Sequence, residues 1–151
     1  WSCNNLYWYL THACSPVTDG LMPYREADLL RNILDRADAA LKEGKNQATL
    51  RFGHESCLLP LVALLELNHY GESYPDVEKL SEQWRAYDIF PMASNVQFVF
   101  FHKKGSNDVL VKVLLNEKEA KLPVKTDVAP YYHWKDVESY YREKLDKYQH
   151  I

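Results

Sequence analysis

The 151-residue sequence lacks a strong charge of either sign, and this absence excludes several classes of protein. Its 18 basic and 21 acidic residues give a formal net charge of −3, which does not suit a nucleic-acid-binding surface. We therefore expect no nucleic-acid partner. Hydrophobic residues make up 46% of the chain and charged residues 26%, which is the composition of a globular domain rather than of a disordered segment.

Long apolar runs are absent as well. The longest run, at 58–65, is interrupted by Pro60 and is far too short to cross a bilayer, so we expect no membrane partner. No basic segment followed by an apolar run opens the sequence, so it shows no signal peptide. The chain starts at Trp1, and its aromatic-rich residues 1–20 end in a predicted loop. We expect residues 1–151 to form one truncated domain.

Cysteine is scarce, and the familiar cofactor motifs are missing. The spacing of Cys3, Cys14 and Cys57 fits neither a zinc motif nor a disulfide framework, and which pair could bridge stays open. A cysteine phosphatase would need an arginine six residues after Cys57, where Ala63 stands. No phosphate-binding loop or dinucleotide fingerprint occurs, so we expect no metal and no cofactor.

Hydrophobic periodicity predicts alternating helices and strands. Apolar residues at helical spacing predict a helix at 24–42 that ends at Gly44. Further patterns predict helices at 58–68, 75–87 and 134–148, strands at 48–52, 95–102 and 108–115, and an extended piece at 122–124. The later two strands flank a turn at 105–107 and predict an antiparallel hairpin. The sequence thus indicates an α/β fold, with a mixed sheet flanked by helices that ends in a hairpin and a terminal helix.

The segment Gly53-His54-Glu55-Ser56 carries the most chemistry. It joins the predicted strand 48–52 to an apolar helix, and Gly53 would allow a sharp turn there. The free amides and the positive end of that helix would face the same corner as His54 and Glu55. An imidazole suits a phosphate oxygen, and a carboxylic acid beside bound phosphate suits a proton donor. In the simpler alternative, Glu55 is only a favourable charge in a first helical turn.

This motif resembles the second signature of the histidine acid phosphatases, which is usually Gly-His-Asp-Thr-Asn before an apolar helix. It is preceded here by Thr-Leu-Arg-Phe at 49–52 and followed by an apolar run at 58–65. The segment 90–98 resembles the family's hairpin entry. The segments 111–117 and 130–134 are similar to the bacterial branch related to inositol polyphosphate phosphatases. The resemblance covers about residues 20–145 and implies a partial histidine-phosphatase fold.

The resemblance implies roles for two residues and suggests one for a third. His54 would position the transferred phosphoryl group, and Glu55 would protonate the leaving alkoxide as general acid. Glutamate replaces the family's usual aspartate at this position, and Cys57 stands where asparagine is common. Arg51 could reach the phosphate, although a solvated arginine at a strand edge is the commoner situation. The aromatic cluster at 131–134 could line a cleft, but packing against the hairpin is the favoured role.

The family's nucleophile segment, Arg-His-Gly-x-Arg-x-Pro, does not occur in these 151 residues, and none of the 6 histidines lies in that context. Without it no phosphohistidine intermediate can form, so we expect the isolated chain to be inactive. The parent would be a phytase-like phosphomonoesterase that hydrolyses small-molecule organic phosphates, inositol polyphosphates among them. It would be periplasmic or secreted. A non-catalytic α/β binding or interaction domain, in which His54 and Glu55 only cap a helix, is the alternative.

We also expect self-association. In the resembled family the nucleophile strand neighbours the strand that ends at Phe52. Its absence would leave a sheet edge and apolar surface exposed.

Overall fold

The structure is a computed structural model that describes residues 2–11, 20–72, 74 and 76–148. Its elements, in chain order, are α1 Ser2–Thr11, α2 Ala27–Glu43, α3 Glu55–Leu64, α4 Leu80–Gln83, α5 Ala86–Ile89, β1 Val96–His102, β2 Val109–Leu115, β3 Lys118–Glu119, β4 Tyr132–His133 and α6 Trp134–Lys147. Short 3-10 helices lie at Met22–Glu26 and Leu67–His69. An antiparallel sheet with helices around it, ending in a terminal helix, confirms the predicted α/β class.

The hairpin of β1 and β2 is the main part of the sheet, with β2 as the central strand. Its antiparallel register runs from Val96 opposite Leu115 to His102 opposite Val109, as the two β-forming segments predicted. β3 and β4 both pair antiparallel with β2. Alternate β2 residues turn their side chains into the core, where Val111 and Val113 are completely buried. This alternation is what a sheet with one covered face requires.

The strand predicted at 48–52 is not formed. Residues 46–54 have no regular secondary structure, and no backbone hydrogen bond joins 46–53 to another described residue. A β-strand forms only when its backbone groups pair with a neighbouring strand, even if its residues have a high β propensity. No described strand lies beside residues 48–52. Leu50 and Phe52 are accordingly 75% and 94% exposed.

Other predicted elements differ from the structure as well. The helix predicted at 58–68 begins at Glu55 and ends at Leu64. The segment 75–87 contains two short helices, because Trp84 and Arg85 between them are extended. The segment 122–124 forms no strand. Part of the aromatic-rich segment 1–20 forms α1, whose Trp8 is buried in the core, whereas the predicted loop residues 15 and 16 lie outside the described residues. The helix predicted at 24–42 is confirmed from Ala27, and it ends at a left-handed Gly44.

The imidazole of His133 lies between two carboxylates at one end of the sheet. Nδ1 is 3.0 Å from Asp108 Oδ2, and Nε2 is 3.0 Å from Asp127 Oδ1. The hydrogen bond to Asp108, followed by that to Asp127, raises the pKa of His133. The same contact with His133 holds the pKa of Asp127 below its usual value. Both contacts are satisfied together only by the protonated imidazole, since each ring nitrogen must then donate.

We expect this pair to give the protein a pH-dependent stability. The stabilisation from His133 is complete below its ordinary pKa of 6.5 and is lost as the pH rises through the raised folded value. The stabilisation from Asp127 is complete above its ordinary pKa of 3.8 and is lost as the pH falls through the lowered folded value. Their joint contribution to the free energy of unfolding should therefore be largest between those two values. Urea unfolding midpoints across the pH range measure it.

The matched control for this prediction is His102, whose Nε2 lies 2.8 Å from the backbone oxygen of Ser106 and not from a carboxylate. His133→Asn should lower the urea midpoint between the two ordinary pKa values and reduce its decline as the pH rises above 6.5 or falls below 3.8. His102→Asn should leave the profile as it is. Equal profiles for the wild type and His133→Asn would contradict the assignment.

Candidate active site

The helix that follows the Gly53-His54-Glu55-Ser56 motif is held at its carboxyl end. Residues 59–65 are buried, as their apolar sequence predicted. Tyr141 on α6 donates its hydroxyl proton to the carbonyl of Leu65 at 2.8 Å, and Lys144 donates to that of Leu64 at 2.8 Å. These bonds satisfy carbonyls that a helix end leaves free, and the cation complements the negative end of the helix dipole. The position of α3 is thereby fixed by α6.

The amino end of α3 is open by contrast. His54 is the N-cap, with extended backbone (φ −110°, ψ 164°), and no side chain caps the helix. The carbonyl of His54 accepts the amides of Cys57 and Leu58 at 3.0 and 3.1 Å. Glu55 is the first helical residue, and the side chains of residues 42–56 are all exposed. The amino end of α3, with His54 and Glu55 beside it, therefore faces solvent.

Gly53 does not make the sharp turn that we predicted for it. The only described glycines with positive φ are Gly20, Gly44 and Gly105, and a Cβ built on Gly53 would meet no atom within 4 Å. His54 has extended backbone, which any residue adopts, and it connects residues 46–53 to α3. The corner is thus set by the start of the helix and not by a glycine conformation.

Arg51, the third predicted site residue, makes its contact with α2. Its Nη2 donates to Asn32 Oδ1 at 2.7 Å. Successive side chains of an extended segment point to opposite sides. Arg51 therefore lies on the side of the segment that faces α2, and its exposed guanidinium is bound by an amide oxygen. The roles predicted for Arg51, His54 and Glu55 remain predictions.

Glu26 was not singled out in the sequence, although it lies beside this corner. Its side chain is only 9% exposed and lies 3.5 Å from Arg25. Burial raises the pKa of Glu26, while the charge of Arg25 and a side-chain hydrogen bond with Cys57 act in the opposite direction. Cys57 is half-buried, and its thiol is in contact with the carboxyl group of Glu26. Glu26 occurs within a helical pattern, so no sequence signal set it apart.

The aromatic cluster at 131–134 packs against the hairpin, as predicted. Trp134 meets Phe100 edge to face with a centroid distance of 4.9 Å, and its indole N–H donates to Asp38 Oδ1 at 2.8 Å. Tyr132 is buried, and its hydroxyl oxygen accepts the amide of Leu122 at 3.1 Å. These residues stabilise the sheet and α6.

No group of His, Cys, Asp and Glu side chains in the described ranges could hold a metal ion. No helix among the same residues is long and apolar enough to cross a membrane. A shallow hollow of about 630 Å³ lies along α6, and none of the residues 51–57 lines it.

The model of the histidine phosphatase superfamily (branch 2) matches residues 24–116, a span that contains both His54 and Glu55. The chain belongs to this superfamily. It is 28% identical over 134 residues to human multiple inositol polyphosphate phosphatase 1, a match that covers 80% of this chain and 27% of the human protein. It is 27% identical over 135 residues to the same protein of Gallus gallus, covering 78% of this chain and 28% of the chicken protein.

A solved structure of a histidine phosphatase relative has the same fold. It is the multiple inositol polyphosphate phosphatase of Bifidobacterium longum in complex with inositol hexasulfate. The TM-score is 0.79 at 25% sequence identity, over 93% of this chain and 30% of that one. The chain thus spans less than a third of the length of each of these relatives. The likeness supports the family and the fold, and the resemblance inferred from the motif is confirmed.

Proposed function

We propose that the chain is part of a phosphomonoesterase, in which His54 positions the phosphoryl group and Glu55 protonates the leaving alkoxide. Membership of the histidine phosphatase superfamily supports a phosphatase-like function. The single observation that carries the proposal is the uncapped amino end of α3, with His54 as N-cap and Glu55 in the first turn. Both side chains are exposed, so a ligand in solution can reach them.

The chemistry of this corner suits a phosphate ester. Backbone amides at a helix amino end bind phosphate oxygens, and the helix dipole favours their negative charge. The imidazole of His54 adds a side-chain donor to the same oxygens. The bound negative charge favours the protonated form of a neighbouring carboxyl group. Glu55 would then hold the proton that the departing alkoxide needs.

The proposed reaction needs a nucleophile from outside these 151 residues, because they contain no Arg-His-Gly-x-Arg-x-Pro segment. A histidine nitrogen of that segment would attack phosphorus, and the ester P–O bond would break as Glu55 gives its proton to the alkoxide. Water would then attack phosphorus, break the P–N bond and release inorganic phosphate, with Glu55 taking a proton back from the water. In this scheme the chain supplies the positioning and proton-transfer half of the site.

The substrate class that we propose is the inositol polyphosphates, and the parent protein would act in the periplasm or outside the cell. The relatives named above support the substrate, since all three are named as multiple inositol polyphosphate phosphatases and the bacterial one was solved with inositol hexasulfate. The motif resemblance is the ground for proposing export. Small phosphate esters other than inositol phosphates are compatible with the same corner, because the proposed roles of His54 and Glu55 involve only the phosphoryl group and the leaving oxygen.

Release of inorganic phosphate from inositol hexakisphosphate tests the proposal. The 151-residue chain alone should release none, and a protein that joins it to an Arg-His-Gly-x-Arg-x-Pro segment should release phosphate. His54→Ala in the joined protein should remove that activity, whereas His102→Ala, on the hairpin, should not. Phosphate release by the chain alone would contradict the proposal that the nucleophile comes from outside these 151 residues. Full activity of His54→Ala would contradict the role of His54 and favour a non-catalytic domain in which this residue only caps a helix.

A further inference from the structure

Glu26 is the one charged residue that is buried in the part of the chain that the structure describes. A buried carboxyl group costs free energy unless its neighbours compensate for the lost water. Arg25 compensates only in part, because it lies 3.5 Å away and its own side chain is 51% exposed. Burial accordingly raises the pKa of Glu26, so the charged form lowers the free energy of unfolding. Stability therefore does not explain why a carboxyl group occupies this position.

The place of Glu26 in the chain does not explain its side chain either. Glu26 ends the 3-10 helix Met22–Glu26 and is the N-cap of α2, but its side chain does not cap α2. Its side-chain hydrogen bond is instead with the thiol of Cys57, in the first turn of α3. The carboxyl group therefore links the start of α2 to the start of α3.

Cys57 is the first residue of α3 that turns away from solvent, since Glu55 and Ser56 before it are exposed. Its backbone amide donates to the carbonyl of His54 at 3.0 Å. Contacts thus run without a break from the carboxyl group of Glu26, through Cys57, to the N-cap of α3. The first turn that carries Glu55 lies along this path.

We propose that Glu26 is a positioning residue for His54 and Glu55, which acts by holding the thiol of Cys57 and thereby the first turn of α3. This inference rests on the proposed function. A thiol is a weak donor, and an ionised carboxylate is a strong acceptor for it. A misplacement of roughly 1 Å can cost about 10²-fold in rate. A contact that adds no stability can therefore still determine how fast the site works.

Glu26→Leu and Glu26→Gln separate this role from a structural one. Leucine fills the space but accepts no hydrogen bond, whereas the amide oxygen of glutamine accepts one. In the protein that joins the chain to a nucleophile segment, Glu26→Leu should lower the turnover of inositol hexakisphosphate by about 10–10²-fold. Glu26→Gln should retain most of it. Wild-type turnover in Glu26→Leu, or equal losses in the two variants, would overturn the proposal.

Asp38→Leu is the matched control, because Asp38 is another acid of α2 that is largely withdrawn from solvent, at 22% side-chain exposure. Its hydrogen bonds go to Trp134 and Arg142 on α6. Asp38→Leu should lower the urea midpoint of the 151-residue chain and leave turnover of the joined protein unchanged. Glu26→Leu should do the reverse. A fall in turnover as large in Asp38→Leu as in Glu26→Leu would overturn the proposal.

A double-mutant cycle tests the contact with Cys57. Cys57→Ala removes the thiol and should lower turnover as Glu26→Leu does. Adding it to Glu26→Leu should cause no further loss, because both changes remove the same hydrogen bond. Losses that add in the double variant would show that Glu26 does not act through Cys57.

NMR relaxation of the 151-residue chain keeps this inference separate from the proposed function, since it requires no phosphatase activity. The backbone order parameters of Glu55 and Ser56 should fall in Glu26→Leu and stay at the wild-type value in Glu26→Gln. Unchanged order parameters in Glu26→Leu would overturn the positioning role even in an active enzyme. Failure of the proposed function would show itself differently, as a joined wild-type protein that releases no phosphate.

Discussion

Replacing Glu55 by Gln is expected to lower the hydrolysis of an alkyl phosphate by about 10²–10⁴-fold, the range that general acid catalysis contributes. An inositol alkoxide is a poor leaving group and needs a proton as the P–O bond breaks. A nitrophenyl phosphate leaves as a stabilised phenolate and needs none. In a parent protein that carries the nucleophile segment, Glu55→Gln should therefore depress turnover of inositol hexakisphosphate far more than turnover of p-nitrophenyl phosphate.

Two variants separate this role from a merely structural one. Asp28→Asn removes an exposed acid from the first turn of α2. Like Glu55→Gln, it should lose about 0.3–1 kcal/mol of helix-dipole stabilisation. It should leave the hydrolysis rates of both substrates unchanged. Glu55→Asp keeps a carboxyl group and should retain activity, since aspartate is the family's usual residue at this position. An equal fall with both substrates in Glu55→Gln would show that the carboxyl group does not protonate the leaving group.

Leu64→Ala is expected to cost about 2–5 kcal/mol of the free energy of unfolding, as large-to-small changes in a packed core do. Leu64 is 1% exposed and lies at the end of α3 that α6 holds. Native domains have only about 5–15 kcal/mol of net stability, so the loss is a large fraction of the total. Urea unfolding followed by circular dichroism measures it.

The control for that prediction is the same substitution at an exposed leucine. Leu6 on α1 is 56% exposed, and Leu6→Ala should change the free energy of unfolding by no more than about 0.5 kcal/mol. Similar losses in the two variants would mean that α3 is not packed in the core. The fixed position of the His54 corner would then lose its physical basis.

Local sequence patterns sufficed for elements that pair or pack close in the chain. β1 and β2 were predicted to within a residue at each end, because β-branched and aromatic residues flank a short turn. Gly44 ends α2 for the reason that its sequence position suggested, since only a left-handed residue closes the helix there. The buried α3 followed from its continuous apolar run. These features depend on neighbouring residues and are therefore visible in a single sequence.

Elements that depend on distant contacts were not predictable in this way. α1 is rich in aromatic residues, whose intrinsic helix propensity is modest. Its position depends on contacts such as Asn4 Oδ1 accepting the amide of Ala86 at 2.8 Å and Asn4 Nδ2 donating to the carbonyl of Trp84 at 3.1 Å. The segment 48–52 has the residues of a strand but no described partner strand. Contacts with residues distant in the chain determine that α1 forms and that 48–52 does not form a strand. A local sequence pattern does not contain that information.

The candidate site likewise contains residues that the sequence could identify and one residue that it could not. His54 and Glu55 could be singled out because a short motif and its flanking blocks resemble a known family, and the helix start lies where the motif requires it. Glu26 could not, because its significance comes from burial beside Cys57. The reason first given for Gly53 was wrong, since the extended approach to α3 needs no special glycine conformation.

Whether a phosphate-like anion binds at the open end of α3 is the most direct test of the account. Titration of the 151-residue chain with inositol hexasulfate, followed by NMR, reports on every backbone amide and imidazole at once. The largest shifts should occur at the amides of Glu55 and Ser56 and at the imidazole of His54, and His54→Ala should weaken binding. Shifts confined to the lysines and arginine that line the hollow on α6, with none at His54 or Glu55, would contradict it.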